Sequence, residues 1–236
     1  VAPDRSLSSI VKKEVQQMIE SSPKIQKYFK ALRSEIRCSL KKSIFVPLAC
    51  VDGKLDGRLP TAFIADEVGA LRDRYPISAM ESGQLNLVNK TGILISTAYE
   101  SLDNPMTEEV DMCKKNLKGL LDHPEWIALL YMPDDTKDWT SDTTLLQANP
   151  LMQHLEQNLI DLKKKRQVAI EMPSETTNFK TKHLNIFVDG NELEQYISLE
   201  DLREGKIEVN SYDWKGKEVW LGIDLSKLLD TISVMV

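Results

Sequence analysis

Thr61-Ala62-Phe63-Ile64-Ala65 is an uncharged run that leads without interruption into two adjacent carboxylates, Asp66 and Glu67. It limits the folds open to this chain more tightly than any other stretch. A short apolar run without alternation suits a central strand of a parallel sheet, buried on both faces. The turn-forming Leu55-Asp56-Gly57-Arg58-Leu59-Pro60 sets its start. In open α/β sheets the C-terminal strand ends face the ligand crevice, so Asp66 and Glu67 would stand where phosphates and a metal are handled. The same residues also fit an edge strand that ends in an acidic surface turn. A second signal has to separate the two.

Gly92-Ile93-Leu94-Ile95-Ser96-Thr97-Ala98 repeats the logic, with an apolar run that ends in hydroxyl and small residues. Between the two runs the sequence predicts a helix of about a dozen residues after Glu67, through Leu71 to Tyr75-Pro76, with more helix as far as Ser82-Gly83. Two strands joined by a helical crossover make a βαβ unit, which brings both strand ends to one crevice. There an Asp can support the Mg²⁺ that neutralises phosphate charge, and a neighbouring Glu can orient the attacking water. An apolar strand ending in Asp-Glu is the Walker B pattern. Without those acids, Ser96 and Thr97 read as a polar strand end.

Elsewhere the chain alternates helical and strand signals. Val1-Ala2-Pro3 reads as the end of a strand that starts upstream. Leu7, Ile10, Val11, Val15, Met18 and Ile19 recur at helical spacing up to about Glu20, and a shorter helical segment follows Pro23 to about Leu32. Ile36–Leu40 and Ser43–Cys50 favour strands, and Pro47 makes part of this region an edge strand or loop. Asn104-Pro105 starts a helix that runs to about Leu121, and Trp126–Met132 reads as a further strand. Asn149-Pro150 opens another helix to about Ile170, and 171–213 reads as a mixed connecting segment with a short helix near Ser198–Glu204. Asp134-Asp135-Thr136-Lys137-Asp138-Trp139 lacks the glycine and terminal Glu of a calcium loop and reads as a solvated loop.

A hydrophobic content of 42% and a charged content of 28% describe an ordinary globular protein, and a net charge of -6 excludes one that coats nucleic acid over its whole surface. Any DNA contact must then come from a local basic patch or a neighbouring subunit. Lys163-Lys164-Lys165-Arg166 is one such cluster, although a charge run on a helix is more often its wet face. Cys38, Cys50 and Cys113 lack CxxC spacing and predict reduced, lone thiols, and His123, His154 and His183 are too isolated for a zinc site. No apolar run approaches the ~20 residues of a membrane span, which predicts a soluble, intracellular protein.

Glu218–Ser226 predicts a last strand that carries Asp224 among large apolar residues. A buried Asp is costly unless paired or bound to metal. RNase H-like nucleases use such a first-strand Asp to hold divalent cations. Asp224 equally fits the end of an edge strand.

The order of Leu55-Asp56-Gly57, Phe63–Glu67, Ile95–Ala98, Asp134-Asp135 to Trp139, Ala148-Asn149-Pro150 and Gly222–Ser226 resembles the large terminase subunit of tailed bacteriophages. The resemblance implies an α/β chain holding part of a parallel-sheet P-loop (ASCE-type) ATPase core, a linker, and the start of an RNase H-like nuclease domain. It implies a partial ATPase domain over 1–148, a linker over 149–213 and the first nuclease strand over 214–236. Asp66 would be the Walker B Mg²⁺ ligand, Glu67 the catalytic glutamate, Ser96, Thr97 and Ala98 the coupling motif, and Asp224 the first nuclease metal ligand. ATP, Mg²⁺ and, for the nuclease, Mg²⁺ or Mn²⁺ are the implied cofactors. Double-stranded DNA, the portal protein, a small terminase subunit and further copies on the prohead are the implied partners, in the cytoplasm of an infected or lysogenic bacterial host.

No GxxxxGK[ST] occurs in the chain, so the sequence reads as an internal piece of a terminase that binds ATP poorly by itself. Two other readings stay open. A helicase-like translocase would use the same strand-end residues, and a non-catalytic α/β interaction domain would carry the acids incidentally.

Overall fold

A computed structural model describes residues 1–51, 53–188, 216, 218, 222–224 and 233–235. The chain divides into two units, Val1–Leu193 and Glu194–Val236.

The first unit is α/β around a parallel sheet. Strand β4 (Ala62–Asp66) pairs in parallel with β5 (Thr91–Ile95), in a register that sets Ala65 opposite Leu94 and Asp66 opposite Ile95. On the other side of β4, the Val1 amino group donates to the Ile64 carbonyl at 2.6 Å and the Asp66 N–H donates to the Val1 carbonyl at 2.9 Å. Ala2 in turn forms a parallel bridge with Ala49. Four parallel segments therefore lie side by side, in the order 48–50, 1–2, β4, β5. Val1-Ala2 occupies the strand position that its apolar start predicts.

Helix α1 (Arg5–Glu20) begins where the Asp4 carboxylate accepts from the Ser6 and Leu7 N–H groups. After α2 (Pro23–Gln26) comes an antiparallel sheet of β1 (Phe29–Ala31), β2 (Ile36–Cys38) and β3 (Ser43–Phe45). The segment up to Leu32 thus ends as a strand where a helix is predicted, because Phe29–Ala31 finds a pairing edge in β2. Gly53 and Gly57, with φ of 70° and 75°, make the turns into β4 that their left-handed freedom permits.

Helix α3 (Tyr75–Gly83) links β4 to β5, and a 3₁₀ turn over Val68–Ala70 precedes it. The helix predicted from Glu67 to Tyr75-Pro76 is therefore corrected, whereas the further helix to Ser82-Gly83 is present as α3. It starts at Tyr75, where Asp73 Oδ1 accepts from the Tyr75 N–H and Pro76 sits in the first turn, a position that proline tolerates. One core joins Leu55, Phe63, Ala65, Val68, Leu71, Ile77, Ala79 and Met80. Gly92 lies under the Phe63 ring, where a β-carbon would approach to 2.8 Å. Burial on both faces of β4 is not observed: Phe63 and Ala65 face the core, whereas Ile64, Ile93 and Ile95 are 40–49% exposed, because α3 covers one face alone.

Helix α4 (Pro105–Leu117) has the predicted Asn104 cap, whose Oδ1 accepts from the Met106 and Thr107 N–H groups. Trp126–Met132 forms no strand. It has no pairing edge, and Ile127 is 90% exposed and Leu129 73%. An apolar run supplies a strand's side chains but not the neighbour its backbone needs. The loop through Asp134–Asp138 is solvent-exposed, as expected, and is tied to α5 (Asp142–Ala148) through Asp134 and Gln147. The predicted helix from Asn149 divides into a 3₁₀ turn over Pro150–His154 and α6 (Glu156–Glu171), and α7 (Pro173–Leu184) occupies what reads in sequence as connecting segment. Leu145, Ala148, Leu162, Ala169, Phe179, Leu184, Ile186 and Val188 make the second core, which unites α5, α6 and α7. All three cysteines are free, and burial pushes the Cys50 and Cys113 thiols up.

In the second unit, β6 (Gly222–Asp224) pairs antiparallel with β7 (Ser233–Met235), with Asp224 opposite Ser233. The predicted helix at 198–204 and the remainder of the predicted strand at 219–221 and 225–226 lie outside the described residues. No described helix is long and apolar enough to cross a membrane.

Candidate active site

Asp66 closes β4, half-buried, and its Oδ1 accepts from the Glu67 N–H at 3.1 Å. Oδ2 has no hydrogen-bond partner among the described residues. Glu67 follows in the left-handed region, φ 53° and ψ 49°. For a residue with a side chain this costs on the order of 1–3 kcal/mol and persists only when the surroundings impose it. Here they do: the Glu67 carbonyl accepts from the Ala70 N–H at 2.9 Å, closing the 3₁₀ turn, and the carboxylate is held from outside the turn. The Tyr99 hydroxyl donates to Glu67 Oε2 at 2.9 Å. Burial first, then this bond and the charge of the two acids, push the Tyr99 phenol up to about 12.

Ser96 sits just beyond β5, and its hydroxyl links the two strand ends. It accepts from the Gly69 N–H at 2.9 Å and donates to the Thr97 carbonyl at 2.7 Å. Gly69 has no alternative here, since a β-carbon on it would stand 2.5 Å from Tyr99 Cδ2 and 2.9 Å from Ser96 Oγ. Ala98 is buried, and its N–H points to Asn185 Oδ1 at 3.4 Å, while Asn185 Nδ2 donates to the Tyr131 carbonyl at 2.9 Å. Lys182 of α7 places its ammonium 3.9 Å from the Tyr99 ring centroid, a cation–π contact. The acids, the hydroxyl segment and the end of α7 thus form one connected site at the C-terminal edge of the sheet.

Asp66, Glu67, Ser96, Thr97 and Ala98 are brought together by the parallel register. Thr97 enters through its backbone carbonyl. Tyr99, Gly69, Lys182 and Asn185 escape a reading of the sequence. Tyr99 carries the one available signal, its position directly after the hydroxyl segment, whereas nothing local marks residues some 85 positions further on. Among the described residues no group of three or more His, Cys, Asp or Glu side chains could enclose a metal. A nucleotide-bound Mg²⁺ asks for less, since it keeps several waters and takes one or two carboxylates besides the phosphates. Asp66, with its unengaged Oδ2, fits that demand.

The basic run on α6 is mostly engaged. Lys163 reaches Asp142 Oδ2 at 2.6 Å, Arg166 reaches Asp142 Oδ1 at 2.7 Å, and Lys164 reaches Asp161 at 3.0 Å. The Lys163 and Arg166 hydrogen bonds hold the Asp142 carboxyl below the usual carboxylate range. Arg74 is likewise committed, to Glu81 and Glu109, and joins α3 to α4. Asp224 stands at the end of β6, outside this site's unit.

Parallel strands that end in paired acids beside a hydroxyl segment define an α/β protein whose polar groups gather at the C-terminal edge of its sheet, where ligands bind in open α/β folds. The sequence goes further. Residues 5–115 match the family model for the terminase large subunit, ATPase domain, and residues 121–236 match that for the terminase large subunit, endonuclease domain. The chain belongs to the terminase large subunit family. Among solved structures it is similar to the large terminase of bacteriophage HK97, with a TM-score of 0.67 and 22% identity over 79% of this chain and 38% of that one. It therefore spans well under half the length of that protein, and at this identity the likeness speaks for the fold. A search among curated proteins gave no match.

Proposed function

We infer that this chain is part of an ATP-driven motor that packages viral DNA into a prohead and cuts concatemeric DNA. The observation that carries the reading is the junction of strand ends, where Asp66 and a strained, hydrogen-bonded Glu67 adjoin Ser96 through the Gly69 N–H. Bound Mg²⁺-ATP supplies the phosphoryl group and the cation that neutralises its charge. Asp66 would hold the cation, its Oδ2 having no hydrogen-bond partner among the described residues. Glu67 would orient and polarise the attacking water, and the Tyr99 hydroxyl fixes the direction in which its carboxylate points. Ser96, Thr97 and Ala98 form the coupling segment: a shift at Ser96 is felt by Gly69, and one at Ala98 by Asn185 and hence by the α5–α7 helices.

The ATPase portion in this reading extends over 1–148, the connecting portion over 149–213 and the nuclease from 214. The common core of α5, α6 and α7 favours counting α5 with the connecting helices. Asp224 would serve as the first nuclease ligand for Mg²⁺ or Mn²⁺, a role supported by its place at the end of a strand in an antiparallel hairpin. Double-stranded DNA is the substrate, the portal and a small terminase subunit are partners, and several copies act on the prohead in the host cytoplasm.

The test is a Mg²⁺ titration of the isotope-labelled chain, followed by amide resonances. Saturable shifts centred on Asp66 and Glu67 that vanish in Asp66→Asn are expected. A weak drift spread evenly over surface acids would make the two carboxylates incidental.

A further inference from the structure

Residues 24–44 carry seven lysines and arginines against one carboxylate, Glu35, in a chain whose net charge is -6. This is the strongest local reversal of charge in the molecule, and the fold concentrates it. The register of the antiparallel sheet places Lys30 opposite Arg37, and Arg37 opposite Ile44. Residues directly opposite one another project from the same face. Lys30, Arg37 and Ile44 therefore share one face, and Ala31, Ile36 and Phe45 share the other. Ile36 is 2% exposed, so the second face is the packed one, whereas Lys30, Arg37 and Ile44 are all exposed to solvent.

A shallow depression of about 450 Å³ opens here, and Lys27, Lys30, Arg37 and Lys42 all border it. Lys42 reaches it from the β2–β3 turn in a left-handed conformation, φ 52°. Arg37 is paired with Glu35. Lys24, Lys30, Arg33, Lys41 and Lys42 are all exposed and have no carboxylate partner among the described residues. In the α6 run Lys163, Lys164 and Arg166 are engaged by Asp142 and Asp161 and Lys165 alone has no carboxylate partner among the described residues, whereas this surface leaves most of its charge for something outside the chain.

We propose that the solvent face of the β1–β3 sheet, with the β2–β3 turn, binds the phosphate backbone of duplex DNA. The proposal rests on the reading of DNA as this protein's substrate and names where the ATPase portion meets it. The cations lie on β1 and β2 (Lys30 and Arg37) and in the turns at the two ends of β2 (Arg33 at one, Lys41 and Lys42 at the other), so they are spread along the sheet and not gathered at one point. That suits an extended polyanion better than a lone phosphate, which a compact nest of backbone N–H groups would hold. The aromatic rings that border the depression, Tyr28 and Phe29, are half-buried, and the Tyr28 ring is taken up by the Lys27 ammonium at 4.9 Å, so no fully exposed ring is offered to unstacked bases and the duplex is the better occupant.

The experiment measures binding of this 236-residue chain to a labelled duplex of about 30 base pairs by fluorescence anisotropy across a salt series. The double variant Lys30→Ala/Lys42→Ala is compared with Lys164→Ala/Lys165→Ala, which removes the same charge from α6. The first pair should weaken binding about tenfold at low salt and reduce the slope of log K against log salt by about 1.8, since each lost phosphate contact contributes about 0.9. The second pair should stay within about twofold. Equal weakening by both pairs would reduce the effect to net charge and overturn the proposal, as would displacement of the duplex by polyglutamate at equal charge concentration. If the unaltered chain binds DNA and Lys30→Ala/Lys42→Ala binds equally well, the location alone fails. If the unaltered chain shows no salt-dependent binding, DNA as the chain's partner fails with it.

Discussion

Gly69→Ala tests whether the candidate site is held as one connected unit. The added β-carbon would stand 2.5 Å from Tyr99 Cδ2, so the ring has to retreat by roughly 0.9 Å to reach ordinary contact near 3.4 Å. The Tyr99 hydroxyl is 2.9 Å from Glu67 Oε2, and a displacement of that size takes the pair beyond hydrogen-bond range. Overpacking of this kind costs about 1–3 kcal/mol, and the lost bond, partly open to solvent, adds about 1 kcal/mol. Against this, alanine reduces the entropy of the unfolded chain, which returns roughly 0.4–1 kcal/mol. A net destabilisation of about 1–3.5 kcal/mol follows, read as a lower urea midpoint with unchanged slope. The phenol that titrates near 12 should move down toward the ordinary range in the same variant. In a Tyr99→Ala background most of the cost should disappear, because the two effects share one contact. Unchanged stability together with an unchanged tyrosine titration would refute the reasoning.

Tyr99→Phe should abolish the high-pH phenol step while leaving the fold intact. Since the folded-state value is raised, the contribution of this phenol is fully present below about pH 10 and is lost as pH rises through about 12, which pH-dependent unfolding of the two proteins would reveal. Asn104→Ala removes the side chain that caps α4 through two N–H groups and should cost about 1 kcal/mol in urea unfolding, with Asn104→Asp recovering most of it. Arg74→Lys gives up a guanidinium that engages Glu81 through two nitrogens and Glu109 through a third. Because these groups are partly exposed, a loss of about 1 kcal/mol is expected, and a neutral result would show that the α3–α4 link contributes nothing measurable.

By itself the sequence determined those features that depend on chemistry within a few residues. Asp4 and Asn104 cap the helices they precede, Gly53 and Gly57 make the turns their φ values demand, and the two apolar runs form the parallel pair β4 and β5, with Asp66 at the end of the first. Propensity, capping and short-range hydrogen bonds act along the chain, so they are legible along it. Tertiary structure decided the remainder, because burial and pairing depend on partners remote in sequence. Trp126–Met132 has a strand's composition but no edge to pair with, and Phe29–Ala31 became a strand because β2 offered one. α7 was hidden in a polar segment until Phe179 and Leu184 found Leu145 and Leu162. The acids of the site were visible as a motif, yet the groups that constrain Glu67 were not: Tyr99 lies 32 residues away, and Lys182 comes from a different helical layer. The charge of residues 24–44 was likewise present in the composition. Only the antiparallel register set Lys30 beside Arg37 on the exposed face.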